Sequence, residues 1–171
     1  MTNKIDGRLI NKAKQHISST YTEEEMEQKP FIKLHCMQDK YDDEQFKVFV
    51  SLDKGFIASG GLRNLSPTAL KVLLVIASFT DSEGYSWISQ EKIGELVGIT
   101  RQQVGKVINT ALINKEFGGK VLLKAVKLNK GEHQSICVYN PVNCYLDKVF
   151  VDSDSYIFEG NDYNDNMELI K

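Results

Sequence analysis

The chain has 171 residues, which fits one domain of ordinary size with extensions at either end. An apolar fraction of 42% beside 26% charged residues of both signs describes a folded globular chain and excludes a disordered polymer. No apolar run approaches the ~18 residues of a membrane span.

The net charge of −2 hides a segregation. Residues 60–141 hold ten Lys and Arg against six Asp and Glu, residues 142–171 two against seven, and residues 1–59 nine against ten. A basic middle with an acidic tail accompanies nucleic-acid binding, although a difference of this size also arises by scatter. The three cysteines, Cys36, Cys137 and Cys144, are odd in number and without close pairing, so a reducing cytoplasm is expected rather than a disulfide framework. The first fifteen residues lack the continuous apolar stretch of a secretory signal.

In chain order, residues 1–30 read as a polar, flexible or partly helical arm, with an acidic cluster at 23–27 and Pro30 after it. Its basic residues Lys4, Arg8, Lys12 and Lys14 are either disordered or reach into a groove. Residues 31–34 and 46–50 look like short strands around a polar loop at 38–45. Gly55 marks a turn, and Gly60-Gly61 closes this region. Ser66 then caps a helix with Pro67 at its first position, and the body 69–79 is apolar nearly all round, as befits a buried central helix. A polar turn at 81–84 stops it, and an extended piece at 85–88 follows with the only tryptophan, Trp87.

Residues 89–112 carry the functional signal. Ser89 is an N-cap, Ile93, Leu96 and Val97 give one apolar helical face, and Gly98 stops the helix. Ile99 plugs the corner, Thr100 caps the next helix over residues 100–109, and Val104, Val107, Ile108, Ala111 and Leu112 form its buried stripe. A helix-turn-helix needs a small residue where the helices touch and apolar residues where they face the core. With Gln90 as the first of twenty positions, Gly94 falls at the fifth and Gly98 at the ninth. Ile93, Val97, Ile99, Val104 and Val107 fill the fourth, eighth, tenth, fifteenth and eighteenth.

The outward face of the second helix carries Thr100, Arg101, Gln102, Gln103, Lys106 and Asn109. Arg reads guanine through O6 and N7, and Gln or Asn reads adenine through N6 and N7, although the same residues also make ordinary solvated faces. Gly105 reflects close approach to DNA, close approach to the partner helix, or neutral drift on an exposed face. After Gly118-Gly119, residues 120–128 read as a strand, 129–132 as a turn and 133–140 as the returning strand before Pro141. A hairpin directly after a recognition helix is the wing of a winged helix. Lys120, Lys124, Lys127, Lys130 and His133 lie on or near it, as phosphate contacts or as charges that blunt an edge strand.

The words LSPTALKVLLVIASF and SWISQEKIGELVGITRQQVGKVINTAL, and a hairpin closing in VYNP, make residues 65–145 resemble the winged helix-turn-helix domains of replication initiators and regulators from Gram-positive plasmids and phages. The resemblance implies double-stranded DNA binding, as a homodimer on repeated or palindromic sites, in replication initiation or transcriptional control alongside replication or transcription proteins. It implies a cytoplasmic location on nucleoid or plasmid, with no membrane partner. The alternative is a protein–protein interaction module in a replication, segregation or conjugation complex.

Enzymatic signals are poor: no phosphate-binding loop is spelled out, and His35-Cys36 lacks a second Cys/His pair for zinc. Cys137 falls in a strand, and His16, His35 and His133 are scattered. No catalytic residue, metal or cofactor is therefore expected. The expected fold class is α+β: a polar arm at 1–30, a winged helix domain with preceding strands at 31–145 (core 65–141), and an acidic tail at 146–171, where short apolar clusters at 149–151 and 156–158 either pack or associate and 160–171 solubilises.

Overall fold

A computed structural model describes residues 7–27, 31–39, 42–113, 115–129, 135–141 and 146–151. The first of these segments takes the helical alternative expected for the arm, and it is packed. Helix α1 spans Gly7–Ser19 and α2 spans Glu23–Glu27. Ile10, Ala13 and Ile17 recur at three- and four-residue spacing and are buried, so a lysine-rich composition conceals an apolar stripe. Lys14 is not presented to a groove. Its ammonium lies 2.5 Å from the Asp81 carboxylate and 2.8 Å from that of Glu83, above the rings of Tyr85 and Trp87. Burial works against this cation, yet hydrogen bonds to Asp81 and Glu83 raise its pKa above the ordinary value.

Strand β1, Ile32–Asp39, pairs antiparallel with β2, Asp42–Leu52, and both run well into the stretch expected as a loop. Their inner ends join the core: Phe31, Ile32 and Leu34 are buried, and Val50 and Leu52 pack against the same cluster. His35 is also buried, its Nε2 2.7 Å from Ser51 Oγ and its ring stacked on Phe49. Where Gly55 was expected to mark a turn and Gly60-Gly61 to close the region, two short helices form. The Asp53 carboxylate caps α3 (Lys54–Ala58) by accepting from the Gly55 N–H, and α4 (Gly61–Asn64) follows. Gly61 is required because a Cβ there would lie 2.3 Å from the fully buried Phe56 ring.

Helix α5, Pro67–Ser78, begins as the sequence indicates, with Ser66 Oγ accepting from the Ala69 N–H. It is the centre of the core, burying Ala69, Val72, Leu73, Ile76 and Ala77. Helices α6, Gln90–Val97, and α7, Arg101–Val107, pack against it, and α7 continues as a π-helical turn, Ile108–Leu112. The stretch 120–128 is not one strand. Gly118 and Gly119, both at positive φ, turn β3 (Glu116–Phe117) into β4 (Lys120–Val121), and the chain then breaks at Leu122.

Strand β5, Leu123–Asn129, pairs antiparallel with β6, Ser135–Pro141, and the connecting residues 130–134 lie outside the described set. Leu123, Ala125, Cys137 and Tyr139 face the core around α5, whereas Val126, Leu128, Ile136 and Val138 meet Ala13, Ile17, Tyr85 and Trp87. The pair is thus covered on both faces, by the central core and by α1. Ser86 adds a third line of pairing, exchanging both backbone hydrogen bonds with Tyr139 at 2.7–2.8 Å. Finally β7, Leu146–Val151, runs parallel to β1 and gives a sheet of order β2-β1-β7. The apolar cluster at 149–151 therefore belongs to a sheet, and the expectations for 156–158 and 160–171 fall outside the described residues.

Ile17→Ala tests the packed status of α1. Truncating this fully buried side chain should cost about 2–5 kcal/mol in urea denaturation, whereas a loose arm would give no change.

Candidate nucleic-acid interface

The geometry starts at the corner between α6 and α7. Ser89 Oγ accepts from the Lys92 N–H at 3.1 Å and opens α6. Gly98, at φ 83°, closes it by donating to the Gly94 carbonyl, and the Ile99 N–H donates to the same carbonyl at 3.0 Å. A Cβ on Gly94 would lie 2.5 Å from the Ile99 carbonyl oxygen, so glycine is what lets the chain turn back this tightly. The next helix is held by a reciprocal cap: Thr100 Oγ1 accepts from the Gln103 N–H at 3.2 Å, and Gln103 Oε1 accepts from the Thr100 N–H at 2.9 Å.

On α7 and the turn after it, Val104, Ile108 and Leu112 are buried at four-residue spacing, with Val107 and Ala111 packed at the margin. The opposite face presents Arg101, Gln102, Lys106 and Asn109 to solvent. Arg101 Nη1 is 3.9 Å from Glu91 Oε1, a long contact between two largely exposed side chains that holds the guanidinium weakly. Thr100 and Gln103 are exposed too, but their polar atoms serve the cap. Gly105 proves to face the partner helix: a Cβ there would meet the Gln90 carboxamide at 3.2 Å.

The strand lysines separate into distinct groups. Lys120 Nζ lies 4.8 Å above the Phe31 ring. Lys124 is buried; its ammonium donates to the Glu25 carboxylate and to the Thr20 carbonyl, both at 2.9 Å, and sits 3.9 Å above the Tyr21 ring. This corrects the expectation that Lys124 is presented to phosphate: α1 and α2 cover the face of β5 on which it lies. Lys127, three residues further along β5 and of the opposite parity, is exposed. Lys130 and His133 lie outside the described residues.

Sequence reasoning missed Glu25 as the partner of Lys124. The pairing joins residues 99 positions apart and leaves no local trace. One signal was available: Leu123 and Ala125 are apolar on one parity of β5 and Val126 and Leu128 on the other, so both faces had to be covered. Neighbouring bonds complete the junction. The Tyr21 hydroxyl donates to Asn140 Oδ1, and Asn140 Nδ2 donates to the Gly84 carbonyl at 2.8 Å.

A family model described as a helix-turn-helix domain matches residues 63–111, from within α4 to the π-helical turn, and supports a helix-turn-helix DNA-binding family for that segment. Comparison with curated proteins and with solved structures gave no match. The described residues contain no helix long and apolar enough to cross a membrane, and no His/Cys/Asp/Glu cluster able to hold a metal.

Lys124 and Glu25 predict a stability signature. The Thr22 backbone N–H, assisted by Lys124, holds the Glu25 carboxyl below its ordinary value of 4.5 despite partial burial. A depressed folded value means this contribution is complete above about pH 4.5 and disappears as pH falls through the folded value. Lys124→Met should cost about 1–3 kcal/mol at neutral pH and shrink that acid-side loss, read by denaturant titration from pH 3 to pH 7.

Proposed function

We propose that the chain is a winged helix DNA-binding protein in which α7 enters the major groove and the β5–β6 pair is the wing. The observation that carries this reading is an α7 held by a reciprocal N-terminal cap and buried on one side against α5, whose other side presents Arg101, Gln102, Lys106 and Asn109 together. Arg101 and Gln102 open the helix, the part that reaches base edges in such docking, while Lys106 and Asn109 follow further along the same face. Gln103 contributes chiefly by holding the cap. Lys127, with Lys130 and His133 in the following connection, supplies the phosphate contacts of the wing, and Lys120 lies near its base.

The DNA is double-stranded and site-specific, bound by a homodimer on repeated or palindromic half-sites. The process served is replication initiation or transcriptional control, of the plasmid and phage type that residues 65–145 resemble. This is binding chemistry rather than catalysis: the face holds hydrogen-bond donors and cations in the arrangement that reads bases and neutralises phosphates.

Electrophoretic shift on the DNA flanking the gene, followed by footprinting, tests this reading. A salt-sensitive shift with protection repeating at helical-turn spacing is expected. No salt-sensitive shift of any duplex, with stable capture of a protein partner, would move the domain to protein assembly. Two variants then separate the contact types. Arg101→Ala should cost about 1–3 kcal/mol on the footprinted site and relax base preference there. Lys127→Ala should weaken binding alike on all sequences and lower the salt slope by about one.

A further inference from the structure

Gln90 stands where three parts of the interface meet. It is the first residue of α6. Its Nε2 donates to Tyr139 Oη on β6 over a long 3.4 Å, and its Oε1 occupies the space in front of Gly105 on α7, 3.2 Å from where a Cβ would be. Tyr139 is a fixed anchor, 1% exposed and tied by its backbone to Ser86. Burial pushes its phenol well above the ordinary value, so Oη stays protonated at neutral pH. Glycine weakens a helix interior relative to alanine, and at 105 the cost coincides with the place where the Gln90 carboxamide needs room.

We propose that Gln90 is a positioning residue: a side-chain latch between α7 and β6 that sets the recognition helix relative to the wing. This rests on the DNA-binding reading above. Base contacts demand placement to a fraction of an ångström, whereas attraction to phosphate is far less directional. A shift of α7 against β5–β6 therefore lowers discrimination while general affinity for DNA survives. Gly105 lies one turn after Arg101 and one turn before Asn109, at the edge of the exposed row where the Gln90 carboxamide approaches α7.

The test uses the full chain and two probes: a duplex enriched by the wild-type protein from a random library, and an unselected random-sequence duplex of equal length. Gln90→Met, which keeps volume without the amide, and Tyr139→Phe should each lower the affinity ratio between the probes about five- to tenfold. Random-duplex affinity, salt slope and Tm should stay near wild type. Gly105→Ala should lower the same ratio, and combined with Gln90→Ala it should lose no more than Gln90→Ala alone, because both changes act on one contact. In the DNA-free protein, Tyr139→Phe should shift the backbone amide resonances of α7, and this shift should vanish in the Gln90→Met background. Additive losses, equal losses on both probes, or unmoved α7 resonances in Tyr139→Phe would overturn the latch. If the wild type enriches no duplex, the DNA-binding reading fails, and the α7 resonances of the free variants still decide the latch.

Discussion

The carbonyl of Ile99 lies where a side chain on residue 94 would have to be, and that close approach governs the rest of the functional half of the molecule. It sets how sharply the chain leaves α6, which places Ile99 at the corner and Thr100 where it can cap α7. The Thr100–Gln103 pair then satisfies orphan donors at the helix start, so α7 begins in a defined direction. With Val104, Ile108 and Leu112 turned to the core, the polar row has one place left to go. The exposed face of α7 is thus a consequence of backbone contact at a glycine as much as of its own residues.

A second constraint is the two-sided burial of β5–β6. A strand pair with one face on a core leaves the other to water, but here α1 occupies that second face through Ala13 and Ile17. Lys14 and Lys124 pin the N-terminal helices at two points, one to the turn after α5 and the other to Glu25 of α2 across Tyr21. Both cations are largely removed from solvent and have carboxylate partners at short distance, which is the condition under which such charges are tolerated. The result is a braced strand pair, and a braced element holds its place relative to α7 better than a free hairpin does.

Sorting by burial refines how charge is used. The basic excess of residues 60–141 is not one field aimed at a ligand: Lys124 is spent internally, Lys120 covers an aromatic ring, and Arg101, Lys106 and Lys127 remain outward. The acidic C-terminal segment begins as strand β7 beside β1, so its first apolar residues have a structural place in the sheet. Gln90 sits between α7, which carries Arg101 and Lys106, and Tyr139 of β6.

Local chemistry decided what the sequence made legible. Ser66, Ser89 and Thr100 announce helix starts because a hydroxyl reaches its own N–H groups within three residues. Gly98 announces a stop because it takes a positive φ, and the apolar spacing of α6 and α7 gives their inner faces except at Leu96, which is exposed. These signals act over one or two turns, so the sequence by itself determined the helix-turn-helix and the polar row on its second helix. Contacts between distant segments were decided only by the tertiary structure. That α1 packs against β5–β6, that Glu25 meets Lys124, that β7 joins β1, and that Gly105 faces Gln90 all depend on which surfaces collapse together. Burial of an apolar stripe is non-directional and names no partner until the chain has folded.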